Sequence, residues 1–200
     1  MATLKCFSAM VIIFLAMISL FFSGCHADDY LTLIDTICKK SQDYEFCSKR
    51  LSSDNRSPNV ADLNGFALIS ISLTITQVQS TLDRIPGILA KLNDPLEKRR
   101  LEACRNHYST SVGDFHNSFT FASRHDYWAT FNSVRDGTNR VIDCHNGYRM
   151  DGPIATSPID GDDHDVIKLS GIVLIIVDDL IRRSAGAALH KTPVYVPLHF

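Results

Sequence analysis

Leu68, Ile71, Ile75, Val78, Leu82, Ile85, Leu89 and Leu92 recur at intervals of 3-4-3-4-3-4-3. A stripe of that period covers one side of a long helix, and it must be buried against other helices. Within it, Ile69-Ser70-Ile71-Ser72-Leu73-Thr74-Ile75-Thr76 alternates strictly and, taken alone, reads as a strand. The heptad spacing continues where the alternation stops, so the longer period predicts a helix over about 60–92. Pro86-Gly87 is expected to kink or interrupt it, because proline clashes with the carbonyl four residues earlier. The Ser and Thr residues of this stretch, Ser72 and Thr76 among them, are expected off the apolar stripe, available to solvent or to a partner.

Three further helices follow from the same period. Asp94, Pro95 and Glu97 form a start signal, with a capping carboxylate and a proline at the first helical position. Leu101, Cys104, Tyr108, Val112, Phe115, Phe119 and Ala122 then give a stripe to about Ser123. Asp126 can cap the next helix, whose stripe runs through Tyr127, Phe131, Val134, Thr138, Val141 and Cys144, with Gly147 as a plausible end. Residues 148–161 read as a long loop. A last helix begins near Asp162, Asp163 and Asp165 and ends near Arg182 and Arg183, charges that suit its dipole. The apolar run Ile172–Val177 leaves a buried strand as its alternative. Ahead of these, residues 30–52 read as two short helices around a polar turn. Residues 53–59 are a loop carrying the glycosylation sequon Asn55-Arg56-Ser57. The predicted fold is all-α: an antiparallel up-down-up-down four-helix bundle with an N-terminal helical hairpin.

Residues 1–27 are read as an address. Lys5 is the only charge before Asp28, and the apolar run Ala9–Phe22 is short for a bilayer span but suited to a signal-peptide core. Cys25 and Ala27 supply small residues before a cut after Ala27. The folded domain is then expected over 28–184, with a loose tail over 185–200. Cys6 and Cys25 leave with the signal, so Cys38, Cys47, Cys104 and Cys144 remain, an even set that reads as two disulfides in an oxidising compartment. Four cysteines allow three pairings, and the sequence alone does not choose; loop lengths lean towards near neighbours. Lys+Arg number 20 against 22 Asp+Glu, a net charge of −2. That balance gives no electrostatic basis for nucleic-acid binding or for membrane association once the signal is removed.

No catalytic set assembles: GxSxG, a P-loop, a Rossmann glycine pattern and HExxH are all missing. Asp160-Gly161-Asp162-Asp163-His164-Asp165 invites a calcium reading. An EF-hand loop beginning at Asp160 would need glycine at 165 and glutamate at 171, where the chain has Asp165 and Gly171. His125-Asp126, His145 and His164 are metal-ligand or acid–base types, but their spacing gives no support, so they are read as scattered surface histidines. Neither a metal nor a cofactor is expected. Tyr127 and Trp128 are aromatics beside a loop, the type that anchors interfaces. A disulfide-stapled bundle without chemistry of its own suits binding, with inhibition of an extracellular enzyme as one use and signalling without an enzyme target as the alternative.

An ordered set of motifs then resembles a known family. It comprises the segment from Cys38 through Tyr44 to Cys47, Ala61-Asp62-Leu63 with the Ile/Ser/Thr-rich stretch after it, Leu101-x-x-Cys104-x-x-x-Tyr108, Cys144 near Tyr148, and the Ser157-Pro158 loop before an apolar last helix. This set resembles the plant invertase and pectin methylesterase inhibitors, with details closest to their pollen-allergen subgroup. The resemblance implies the four-helix bundle and the pairings Cys38–Cys47 and Cys104–Cys144. It also implies a noncovalent 1:1 complex with a cell-wall or vacuolar carbohydrate enzyme, in the apoplast or the vacuole. Better-known invertase inhibitors carry Pro-Lys-Phe before the fourth cysteine, where this chain has His125-Asp126-Tyr127-Trp128-Ala129. For an invertase target the resemblance implies that His125, Asp126, Tyr127 and Trp128 enter the enzyme's cleft. For a methylesterase it implies docking through Ser72, Thr76 and the helix over 95–123.

Overall fold

A computed structural model describes residues 30–60 and 62–189. The expected signal segment and residues 190–200 lie outside them. Helix α1 covers 30–38, and α2 covers Tyr44–Ser52. A single 3-10 turn, Ser57–Asn59, leads to the long helices α3 (Leu63–Leu89), α4 (Pro95–Ser123), α5 (Tyr127–Met150) and α6 (Asp160–Leu189). The described residues hold no strand, so the heptad period prevails over the alternation at 69–76, and Ile172–Val177 is helical. Each long helix packs against the next, and α6 closes the ring against α3.

Aspartates start four of these helices. Asp43 accepts a hydrogen bond from Phe46 N at 3.0 Å, Asp62 from Gly65 N at 2.8 Å, Asp94 from Leu96 N at 2.7 Å and Asp126 from Ala129 N at 3.1 Å. Each satisfies an amide that the helix leaves unpaired and places negative charge at the positive end of the dipole.

The core is one seam shared by the four long helices. Phe66, Ile71, Val78 and Ile85 meet Leu101, Tyr108, Phe115, Val134, Val141, Leu169, Val173 and Ile176, all nearly or fully buried. Each large side chain removed from water contributes about 1.5–3 kcal/mol. The seam differs from the predicted stripe in one respect. Ser70, Thr74 and Thr81 lie inside it, whereas Leu68, Ile75 and Leu82 are only half-buried. Their hydroxyls donate to the carbonyls of Phe66, Ser70 and Gln77 at 2.7–2.9 Å, so burial leaves no donor unsatisfied. The small side chains let helices approach closely. Ser111 Oγ donates to Gly137 O at 2.9 Å across α4 and α5, and a Cβ at Gly137 would stand 3.0 Å from the Phe115 ring.

Three boundaries move. Pro86 lies inside α3 without ending it; its missing N–H and ring fall on an exposed side near the C-terminus. Gly147 does not stop α5, which continues to Met150 and so buries Tyr148. Helix α6 continues to Leu189, past the point at 185 where a tail was expected.

Among the described residues two disulfides are present, Cys38–Cys47 within the α1–α2 hairpin and Cys104–Cys144 between α4 and α5. Lys168–Asp43 at 2.9 Å and Arg50–Asp165 at 2.8 Å join the hairpin to α6, and Arg50 and Lys168 both lie 5.1 Å from the Phe46 ring centre. Replacing Cys104 and Cys144 by alanine should lower the unfolding free energy by about 4 kcal/mol, and replacing Cys38 and Cys47 by about 3 kcal/mol. Chemical denaturation checks both. Gly137→Val should cost about 1–3 kcal/mol by overpacking the α4–α5 crossing, read in the same assay.

Candidate functional site

Ser72, Thr76, Gln79, Asp83 and Pro86 recur at 4-3-4-3 and so share one face of α3. Ser72 is half-buried and Thr76 exposed. Their hydroxyls donate to Leu68 O at 2.8 Å and Ser72 O at 2.9 Å, which leaves their lone pairs open to a partner's donors. Gln79 Nε2 donates to Asp83 Oδ1 at 2.8 Å. The face leads into a groove of about 450 Å³ between α3 and α4, lined by Leu82, Asp83, Pro86, Arg105, Asn106 and Ser109. Its lining offers donors from Arg105 and Asn106, the Ser109 hydroxyl and the Asp83 carboxylate.

A second surface lies at the α4–α5 turn. His125 has φ 58°, in the left-handed region that a side chain rarely occupies. Its Nδ1 is 2.8 Å from Tyr127 Oη, and the two rings meet edge-on at 5.9 Å. Trp128 is 66% exposed and touches only the edge of Phe131 among aromatic rings of the described residues. Asp126 serves as the α5 cap. The predicted residues 125–128 therefore form one projecting tip. It stands about 30 Å along α4 from Arg105, at the axial rise of an α-helix, so tip and groove are separate surfaces. Asn55 is exposed, whereas Ser57 of its sequon is buried with Oγ on Leu51 O at 2.5 Å.

The acidic start of α6 does not assemble as a calcium loop. Asp162 pairs with Arg84 at 2.5 Å, Asp165 with Arg50 at 2.8 Å, and Asp163 is fully buried. Tyr108 Oη donates to Asp163 Oδ1 at 2.7 Å, and Cys144 Sγ lies 3.7 Å from the same oxygen. Burial pushes the Asp163 carboxyl up to about 7, against the opposing pull of the Tyr108 hydrogen bond, and pushes the Tyr108 hydroxyl up as well. The sequence reading set Asp163 with Asp162 and Asp165 as charges that suit the α6 dipole. Its register with Val166, Ser170 and Val173 on the inner face of α6 is the signal that finds it. Arg100 was missed as well. It is 4% exposed, contacts Glu97 at 3.0 Å, and donates to Asp151 O and to Pro153 O at 2.7 Å. Of the four histidine and aspartate positions weighed as ligands or acid–base groups, His125 and Asp126 lie at the tip. His145 and His164 come together with Asp160 at the other end of the bundle.

Residues 32–176 match the family described as plant invertase/pectin methylesterase inhibitor. The chain belongs to this family. It is 38% identical over 148 residues to pectinesterase inhibitor 5 of Arabidopsis thaliana, covering 74% of this chain and 83% of that protein. It is 27% identical over 150 residues to a Platanus orientalis protein named "Putative invertase inhibitor", covering 72% and 87%. The fold is that of a crystal structure of a mutant pectin methylesterase inhibitor from Arabidopsis, with a TM-score of 0.63 at 21% identity over 72% of this chain and 95% of the other. The family consists of enzyme inhibitors.

Because folding raises the Asp163 pKa, the native state holds a proton that the unfolded chain releases near pH 4. The contribution is complete below that value and is lost as pH rises towards 7. Unfolding free energy measured from pH 4 to pH 7 should therefore fall by an amount on the order of 2 kcal/mol more in the parent than in Asp163→Asn. Equal slopes would contradict it.

Proposed function

We propose that this protein is a secreted noncovalent inhibitor of pectin methylesterase, acting as a 1:1 complex in the plant cell wall. The supporting observation is the polar shelf of Ser72, Thr76 and Asp83 running into the α3–α4 groove with Arg105 and Asn106. It gives a partner a wide hydrogen-bonding surface on two rigid helices, so little side-chain or loop ordering opposes association. The 38% identity to a protein named as a pectinesterase inhibitor supports the same target class. Secretion rests on the signal-like segment at 1–27 and on the even cysteine set.

A second reading rests on the tip. Trp128, exposed beside Tyr127, is an aromatic anchor of the kind that fills a cleft, and a relative is named for invertase. One titration separates the two. Mature oxidised protein is assayed against pectin methylesterase and against invertase, alongside Thr76→Arg, Asn106→Arg and the pair Tyr127→Ala with Trp128→Ala. The groove variants should weaken methylesterase inhibition at least about tenfold, equivalent to about 1.4 kcal/mol, while the tip pair leaves it unchanged. Potent invertase inhibition lost in the tip pair alone would move the assignment to invertase.

A further inference from the structure

We propose a transition-metal site at the end of the bundle opposite the tip, held by His145 of α5 and by Asp160 and His164 of α6. One ligand atom from each of the three lies within 4.8 Å of the others. His145 Nδ1 is 3.1 Å from Asp160 Oδ1, His164 Nδ1 is 3.6 Å from Asp160 Oδ2, and the two imidazoles stand edge to face at 5.4 Å. Two imidazoles and a carboxylate form a donor set suited to zinc and its neighbours and poorly suited to calcium.

Three details separate this cluster from an ordinary acidic helix start. First, Asp162, Asp163 and Asp165 are held by Arg84, Tyr108 and Arg50, whereas the carboxylate of Asp160 faces the two histidines. Second, His145 Nδ1 is shut away from solvent and makes no hydrogen bond. Its approach to Asp160 is close enough, but off the required angle. A buried nitrogen lone pair or N–H left in that state is costly, and a coordinated ion removes the cost. Third, His164 Nδ1 lies 2.8 Å from Asp160 O. That contact fixes the orientation of the ring beside the cluster, as outer contacts of metal-bound histidines do.

The three side chains border a pocket of about 290 Å³ walled by Tyr148, Ile154 and Ser157, with room for water as a further ligand. Arg149 at its rim and the α6 dipole disfavour a cation, a cost that the Asp160 carboxylate opposes. The ion would join the end of α5 to the start of α6, across the loop between them.

The test is calorimetric titration of zinc chloride into mature, oxidised, tag-free protein at neutral pH, repeated with cobalt(II) to read its visible spectrum. The expected result is one saturable site and an intense cobalt spectrum of low coordination number. His164→Asn, at an exposed position, and His145→Gln should each weaken binding at least about tenfold, while His107→Gln and His125→Gln leave it unchanged. Absence of saturable binding, or His164→Asn binding zinc as the parent does, would overturn the site. Enzyme inhibition is not part of the readout, so the result is independent of the target.

Discussion

Four helices share one dry seam, and the rest of the molecule hangs on how closely they approach there. The approach is set by small residues as much as by large ones. Ser70, Thr74, Thr81, Ser111 and Ser118 are buried, and their hydroxyls bond to helix carbonyls, four of them within their own helix. A hydroxyl so placed behaves almost as an apolar group, because its donor is already used. Phe66, Phe115 and Tyr108 can then fill the space between backbones that larger neighbours would hold apart. The Cys104–Cys144 link fixes the α4–α5 pair from the same interior.

This arrangement explains what the sequence disclosed and what it concealed. Periodicity located the long helices, and the aspartate caps at Asp94 and Asp126 marked starts that the structure reproduces. Ser70, Thr74 and Thr81 were misjudged, because polarity in a list of residues does not show whether a donor is satisfied locally. Gly147 looked like a stop, yet burial of Tyr148 one residue later keeps α5 wound. Asp163 and Arg100 escaped notice for a related reason: a charged residue on an inner face is stable only with partners that are distant in sequence. Tyr108 lies 55 positions from Asp163, and Asp151 lies 51 from Arg100. The same distance hid the meeting of His145 with His164, which no local spacing encodes.

The candidate surfaces divide along the bundle. The α3–α4 groove is built on helix faces and is therefore stiff, and the tip at 125–128 projects from a strained turn. A rigid polar shelf and an exposed indole are two different ways of holding an enzyme, and their separation means that substitutions at one should leave the other intact. The family accommodates both target classes on a common scaffold because the seam, not the surface, carries the fold.

Arg100 gives the loop over 151–159 a property its composition conceals. Glycine and two prolines suggest a slack connection, but a guanidinium sunk beneath it grips the carbonyls of Asp151 and Pro153 and lies 5.5 Å from the Tyr148 ring centre. Ordering this segment is thus completed when the domain folds. Anything that settles later against that end of the bundle meets a finished wall, and its residence time is set by the strength of its own contacts rather than by the slackening of a strap.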